Sequence, residues 1–139
     1  MPAFNEEDSI VSVVKEFLEQ KCVSNVIVVD NNSTDATFNL AKSAGAKVVK
    51  CKTQGLGAAV KHGISFWLEN DLTQLLLIVE SDGTFAATDV AKFLAYIEEA
   101  NIVVGSRTSK SLIWTGAYMP NWVRVGNWFV AKLCEFLFN

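Results

Sequence analysis

Three apolar runs in this chain each end on polar groups. Val26-Ile27-Val28-Val29 ends at Asp30, Leu75-Leu76-Leu77-Ile78-Val79 ends at Glu80-Ser81-Asp82-Gly83, and Ile102-Val103-Val104 ends at Gly105-Ser106-Arg107. Short uninterrupted runs of this kind read as strands buried on both faces, which is what a parallel sheet demands. The stretches between them carry helical spacing. Ile10, Val13, Val14, Phe17 and Leu18 recur at i, i+3, i+4, i+7 and i+8, so residues 7–20 read as an amphipathic helix. Glu6, Glu7 and Asp8 stand at its start, where negative charge suits the helix dipole. Ser33 or Thr34 can cap a second helix over 35–44, stopped by Gly45. A strand over 46–51 follows, and Gly55-Leu56-Gly57 opens a helix that runs to Asn70. The strand at 74–80, a helix over 87–99, a strand over 101–105 and a last helix over 119–138 complete the order α-β-α-β-α-β-α-β-α.

Such alternation implies an α/β fold: a doubly wound, mostly parallel sheet with helices on both faces. A sheet of this type ordinarily begins with a strand. Here only Met1-Pro2-Ala3-Phe4 precede the first helix, so the expectation is a first strand reduced to a stub or cut away. The expected organisation is one partial domain over 1–139, truncated at both ends. An incomplete sheet leaves an unpaired edge, and homo-oligomerisation is one way to cover it.

The composition narrows the function. Of 139 residues 50% are hydrophobic and 19% charged, with net charge −3 and no dense block of Lys and Arg. That is a globular chain without the basic stripe of a nucleic-acid binder. Cys22, Cys51 and Cys134 are odd in number and lack metal-ligand spacing, which fits a reduced, cytoplasmic setting and small buried side chains. The single histidine, His62, lies mid-helix with no acidic or serine neighbour and reads as a solvated position, which disfavours a histidine-based hydrolase.

Chemistry concentrates at the strand tips. Residues i and i+2 of an extended segment share a side, so Glu80 and Asp82 place two carboxylates on one face of a strand end. In open α/β sheets ligands bind outside the carboxyl ends of strands. Paired carboxylates there can hold Mg²⁺ or Mn²⁺ against a diphosphate. By itself the segment equally fits a polar turn, since Asp-Gly is a common turn pair. Gly55 and Gly57 allow close backbone approach and leave N–H groups at a helix start. Asp30 at a strand tip can accept hydrogen bonds, and Arg107 can grip phosphate as a bidentate fork.

The motifs together resemble the family-2 glycosyltransferases. Pro2-Ala3-Phe4-Asn5-Glu6-Glu7 resembles their Pro-Ala-Tyr/Phe-Asn-Glu-Glu opening, and Val28-Val29-Asp30-Asn31-Asn32-Ser33-Thr34-Asp35-Ala36-Thr37 their Val-Val-Asp-Asp-Gly-Ser-Thr-Asp-Gly-Thr segment. Gly55-Leu56-Gly57-Ala58-Ala59 is similar to their Gly-Leu-Gly-Ala-Ala helix start, Glu80-Ser81-Asp82 stands at their Asp-x-Asp, and Gly105-Ser106-Arg107 matches Gly-Ser-Arg. The branch most similar is that of the polyprenyl-phosphate sugar transferases of the dolichyl-phosphate mannose synthase type. The resemblance implies the GT-A nucleotide-diphospho-sugar transferase fold and a metal-dependent, inverting transfer of sugar to a lipid phosphate. It implies nucleotide contacts at Pro2, Ala3, Asn5, Glu6, Asp30, Asn32, Gly55, Gly57 and Glu80. It implies metal ligation by Asp82, Glu80 and Thr84, with Asp82 and Arg107 catalytic. Arg107 and Arg124 would hold the acceptor phosphate. Glu80 departs from the family's first aspartate: it keeps the carboxylate with one methylene more. Capping of the first helix is the competing role for Asn5 and Glu6.

The implied partners are a UDP- or GDP-sugar, a polyprenyl phosphate, and the cytoplasmic face of a membrane, met peripherally. The carboxyl end supports the last of these. Trp114, Tyr118, Trp122, Trp128, Phe129, Phe136 and Phe138 are interleaved with Arg124 and Lys132, as in interfacial helices, and no apolar run reaches transmembrane length. Two other readings fit a chain of this kind. One is a non-catalytic nucleotide-binding fragment. The other is a nucleotidyltransferase on a related sheet, although the glycine- and base-rich loop expected after its first strand is not seen.

Overall fold

The computed structural model describes residues 1–70, 73–105 and 121–138. The chain divides into two compact units, Met1–Ala100 and Asn101–Asn139, and each is described by itself.

Among the described residues the first unit is built on a parallel sheet of β1 (Pro2–Ala3), β2 (Ile27–Asp30) and β3 (Lys47–Lys50), in that spatial order. Pro2 stands opposite Val29 and Ala3 opposite Asp30; Ile27 to Asp30 run alongside Lys47 to Lys50. The residues before the first helix form a two-residue strand. Pro2 has no N–H to give a ladder and is tolerated at an edge. β1 is held to β2 by its flanking carbonyls: Met1 O accepts from the Val29 N–H and Ala3 O from the Asn31 N–H, both at 2.8 Å.

Alternation along β2 sends successive side chains to opposite faces. Val28 enters a core with Ile10, Val13, Val14 and Phe17 of α1 (Ile10–Leu18), Ala41 of α2 (Thr37–Ser43) and Val90 of α4 (Val90–Ile97), which a short 3₁₀ turn (Ala87–Asp89) precedes. Val29 turns the other way, against Cys51 and Ala59 of α3 (Leu56–Asn70). Helices therefore cover both faces, as the alternation of elements implies. Each fully buried aliphatic or aromatic side chain in these layers contributes about 1.5–3 kcal/mol of transfer free energy. Close approach of α3 to β2 depends on Gly63, where an added Cβ would lie 3.0 Å from Val29 Cγ2. The second unit contains α5 (Asn121–Phe138).

Two expected strands are absent among the described residues: neither 74–80 nor 101–105 carries a strand. The run at 75–79 was expected to be buried on both faces. Leu77 and Val79 do pack on the α1-side core, but Leu75, Leu76 and Ile78 are exposed. The segment lies beside β1 and meets it through a side chain, the Ser81 hydroxyl on Pro2 O, in place of a ladder. Of the three cysteines expected to be buried, Cys51 is buried, whereas Cys22 and Cys134 are exposed free thiols. His62 is exposed on α3, as its sequence setting suggests. No helix among the described residues is long and apolar enough to cross a membrane.

Candidate functional site

A cleft of about 290 Å³ opens at the carboxyl ends of β1 and β2, where the 80–82 segment comes alongside β1. Of the residues expected at the site it brings together Pro2, Ala3, Glu6, Gly55, Glu80 and Asp82. Phe4, Asn31, Gln54, Leu56, Ala59 and Ser81 complete the lining. Asn5, Asp30, Asn32 and Gly57 sit next to lining residues in the chain without lining the cleft themselves, and Thr84 comes two residues after the lining Asp82. Arg107 lies outside the described residues. Arg124 falls on α5, in the other unit, and its side chain is not among those described.

The 80–82 segment shows the alternation expected of an extended strand end. Glu80 and Asp82 are exposed on the cleft, while Ser81 between them is only 2% exposed. Asp82 closes a tight turn: its Oδ1 accepts from the Thr84 N–H at 2.9 Å and the Thr84 hydroxyl at 2.7 Å. Gly83 supplies the left-handed φ of 76° that this turn requires.

Asp30 ends β2 at 2% exposure, and its Oδ1 is buried without a hydrogen-bond partner among the described residues. A buried carboxylate oxygen left in this state is costly unless something satisfies it. Next to it, Asn31 fastens the β2 tip to the following loop. Its amide donates to Cys51 O at 3.1 Å and Thr53 O at 2.6 Å, and its Oδ1 accepts the Gly55 N–H at 2.7 Å. Gly55, at φ 125°, is thereby held where α3 begins, and the first N–H groups of a helix have no acceptor within it. Asn32 adopts φ 63°, a conformation natural to glycine and tolerated by asparagine, and its amide donates to Lys52 O at 2.9 Å.

The loop before α1 is stitched to the loop before α2. Asn5, also left-handed at φ 55°, donates its N–H to Ser33 Oγ at 3.0 Å, and its Oδ1 accepts the Thr34 N–H at 2.8 Å. The Glu6 N–H reaches Thr37 Oγ1 at 2.8 Å, and the Glu7 N–H reaches Asp35 Oδ2 at 3.1 Å. Asp35 also accepts from the Thr37 hydroxyl at 2.5 Å and the Thr37 N–H at 2.9 Å. Burial pushes the Asp35 carboxyl upward, but these donors from Thr37 and Glu7 outweigh it and hold its pKa below the ordinary 3.8.

The lining carries three carboxylates, Glu6, Glu80 and Asp82, and no Lys, Arg or His among the described residues. Such a cleft attracts cations and repels a bare diphosphate. No group of three His, Cys, Asp or Glu close enough to share an ion occurs among the described residues. The donor set fits a hard cation that takes one or two carboxylates and fills its shell with water and phosphate oxygens, as Mg²⁺ does. Sequence reading missed Asn31 and Ser81. The signal at Asn31 was an amide where the resembling pattern has aspartate; Ser81 offered no signal beyond its place between two acids.

Residues 1–133 match the model of the family described as Glycosyl transferase family 2. Among curated proteins, the chain is 33% identical to the glycosyltransferase AglJ of Haloferax volcanii over 137 residues, 98% of this chain and 43% of that protein. It is 30% identical to a dolichyl-phosphate hexose transferase of the same organism over 138 residues, 99% of this chain and 57% of that protein. Among solved structures, the glucosyl-3-phosphoglycerate synthase of M. tuberculosis superposes with a TM-score of 0.59 at 26% identity, covering 72% of this chain and 40% of that one. The chain thus spans about half the length of these curated relatives.

Proposed function

Because the chain belongs to glycosyl transferase family 2, we propose that its cleft binds a nucleotide diphosphate sugar and serves transfer of the sugar to a polyprenyl phosphate. The observation that carries this reading is the cleft itself: three carboxylates and a glycine-led helix start gathered at strand ends, with no cation of the protein's own among the described lining. A diphosphate enters such a place only with a divalent cation beside it. Asp82 and Glu80 would hold Mg²⁺ or Mn²⁺, with Thr84 behind Asp82; when bound, the ion neutralises the leaving diphosphate. The α3 start that follows Gly55 would offer the N–H groups of its first turn, at Leu56 and Gly57, to phosphate. Asp30, whose buried Oδ1 has no partner among the described residues, offers an acceptor to the N–H or O–H groups of a base or ribose. Pro2, Ala3, Asn5, Glu6 and Asn32 shape and brace the nucleotide end.

In the reaction proposed, an oxygen of the lipid phosphate attacks the anomeric carbon from the face opposite the diphosphate. The bond to the nucleotide's β-phosphate oxygen breaks, its electron pair leaves with that oxygen, and the configuration inverts. The nucleophile is already ionised, so no strong base is required, and the protein contributes orientation and charge compensation. Arg107 and Arg124 are proposed to hold the attacking phosphate. The likeness to a dolichyl-phosphate hexose transferase supports the acceptor class. A peripheral location at the cytoplasmic membrane face follows from that acceptor, with α5 as the contacting element.

A thermal-shift panel of UDP-, GDP- and TDP-sugars with and without Mn²⁺ tests the reading. A ligand of the native state at a hundredfold excess over its Kd stabilises by about 2.7 kcal/mol. At least one nucleotide sugar is expected to raise Tm, and only with the metal present. No shift with any of them would overturn the proposal.

A further inference from the structure

Among the described residues, the segment that carries Glu80 and Asp82 has no strand ladder to fix its register, yet both carboxylates reach the cleft. Two hydroxyls tie it to neighbouring elements. Ser81 Oγ donates to Pro2 O at 2.9 Å. That carbonyl lies between the Met1 and Ala3 carbonyls that β1 commits to β2, so it faces the outer edge, where a further strand's N–H would sit. Ser81 O in turn accepts from Ser9 Oγ at 2.8 Å, at the mouth of α1. The Ser9 hydroxyl has a single proton; its other acceptors, Glu6 Oε2 at 3.0 Å and Glu6 O at 3.4 Å, are farther away. Ser81 is therefore tied at both its side chain and its backbone, to elements 79 and 72 residues away in sequence.

We propose that Ser81 and Ser9 are positioning residues: together they hold the Glu80–Asp82 segment in the register that presents both carboxylates to a metal–nucleotide complex. Neither touches the reacting atoms. Their substitution should loosen the segment and weaken cation binding while leaving the nucleotide end, built on β2 and the loops around it, as it was. The metal half of this inference rests on the functional reading above; the tether itself does not.

The experiment uses the full chain and the variants Ser81→Ala, Ser9→Ala and Ser9→Thr. Ser81→Ala leaves Pro2 O without its donor in a partly buried place and alters a buried side chain, so Ser9→Ala, at a half-buried position, serves as the milder second variant. Amide hydrogen exchange over residues 80–84 reads the tether directly, and Mn²⁺ titration followed by electron paramagnetic resonance, with GDP or UDP present, reads the carboxylate pair. Both alanine variants should speed exchange at 80–84 and raise the half-saturating Mn²⁺ concentration about fivefold, the worth of one ordinary hydrogen bond. Amide exchange at the nucleotide end, over residues 30–34, should stay as in the parent, and Ser9→Thr, which keeps the hydroxyl, should behave as the parent. Unchanged exchange at 80–84 in both alanine variants overturns the tether. Faster exchange with unchanged Mn²⁺ binding overturns the positioning role. If the parent binds no nucleotide with Mn²⁺, the functional reading fails, and faster exchange at 80–84 still upholds the tether.

Discussion

At the scale of single residues, Asp82 separates charge from structure. Its Oδ1 holds the turn through the Thr84 N–H and hydroxyl, and an asparagine oxygen can accept both bonds. Asp82→Asn should therefore keep the turn, shift stability by no more than about 0.5 kcal/mol at this exposed position, and remove one full charge from the cleft. Mn²⁺-dependent nucleotide binding, measured by calorimetry, should fall by about 10- to 100-fold or more. Retained metal-dependent affinity would count against Asp82 as a ligand. Asp35 makes the opposite case, a carboxylate with a structural task. Its pKa is held below 3.8 by Thr37 and Glu7 despite burial. A depressed folded-state pKa means that the stabilisation is complete above the ordinary carboxylate value and is lost as pH falls through the folded one. Urea midpoints of the parent and Asp35→Asn should differ at neutral pH and converge in acid below pH 3.8. A gap that persists unchanged into strong acid would show that the carboxylate charge is not what stitches these loops.

Among the elements, α1 was readable because one face of it must be apolar: of its periodic positions, Ile10, Val13, Val14 and Phe17 are buried and Leu18 is partly buried against the same core. β2 and β3 were readable as short β-branched runs. The 74–80 segment was not, because an apolar run cannot say how many of its faces will find a neighbour. Leu77 and Val79 found one, and Ile78 did not. The site's carboxylates were visible as a spacing, but the hydroxyl bonds that aim them link residues far apart in sequence, and no local pattern announces them. Asn31 likewise shows its role only through three partners in the β3–α3 loop. Packing between α3 and β2 gives an element-level prediction. Gly63 faces Val29 with no room for a branched side chain. Gly63→Val should destabilise the unit by about 1–3 kcal/mol through overpacking, read as a lower urea midpoint. An unchanged midpoint would mean that α3 can move away from the sheet without penalty.

For the whole molecule, the question is what a chain of net charge −3 does with a final helix so rich in aromatic residues. On α5, Trp122, Val125, Phe129, Leu133 and Phe136 recur at i, i+3, i+7, i+11 and i+14, a single stripe at 100° per residue, and all are exposed. The helix is not apolar enough to span a bilayer, and a stripe of this kind can instead lie in the interface with tryptophan at the headgroup level. A lipid-phosphate acceptor gives that placement a purpose, since its phosphate is available only at the membrane surface. The same stripe could equally serve contact with other protein surface, including a second copy, and the two uses respond differently to lipid. Co-sedimentation with anionic vesicles should recover the chain, and replacing Trp122 and Trp128 with serine should reduce the bound fraction, while sedimentation velocity without lipid stays unchanged. If the parent fails to bind vesicles, α5 is not the membrane-facing element. If the double substitution instead shifts the oligomeric state, the stripe belongs to a contact between copies, and the acceptor must reach the cleft by some other surface.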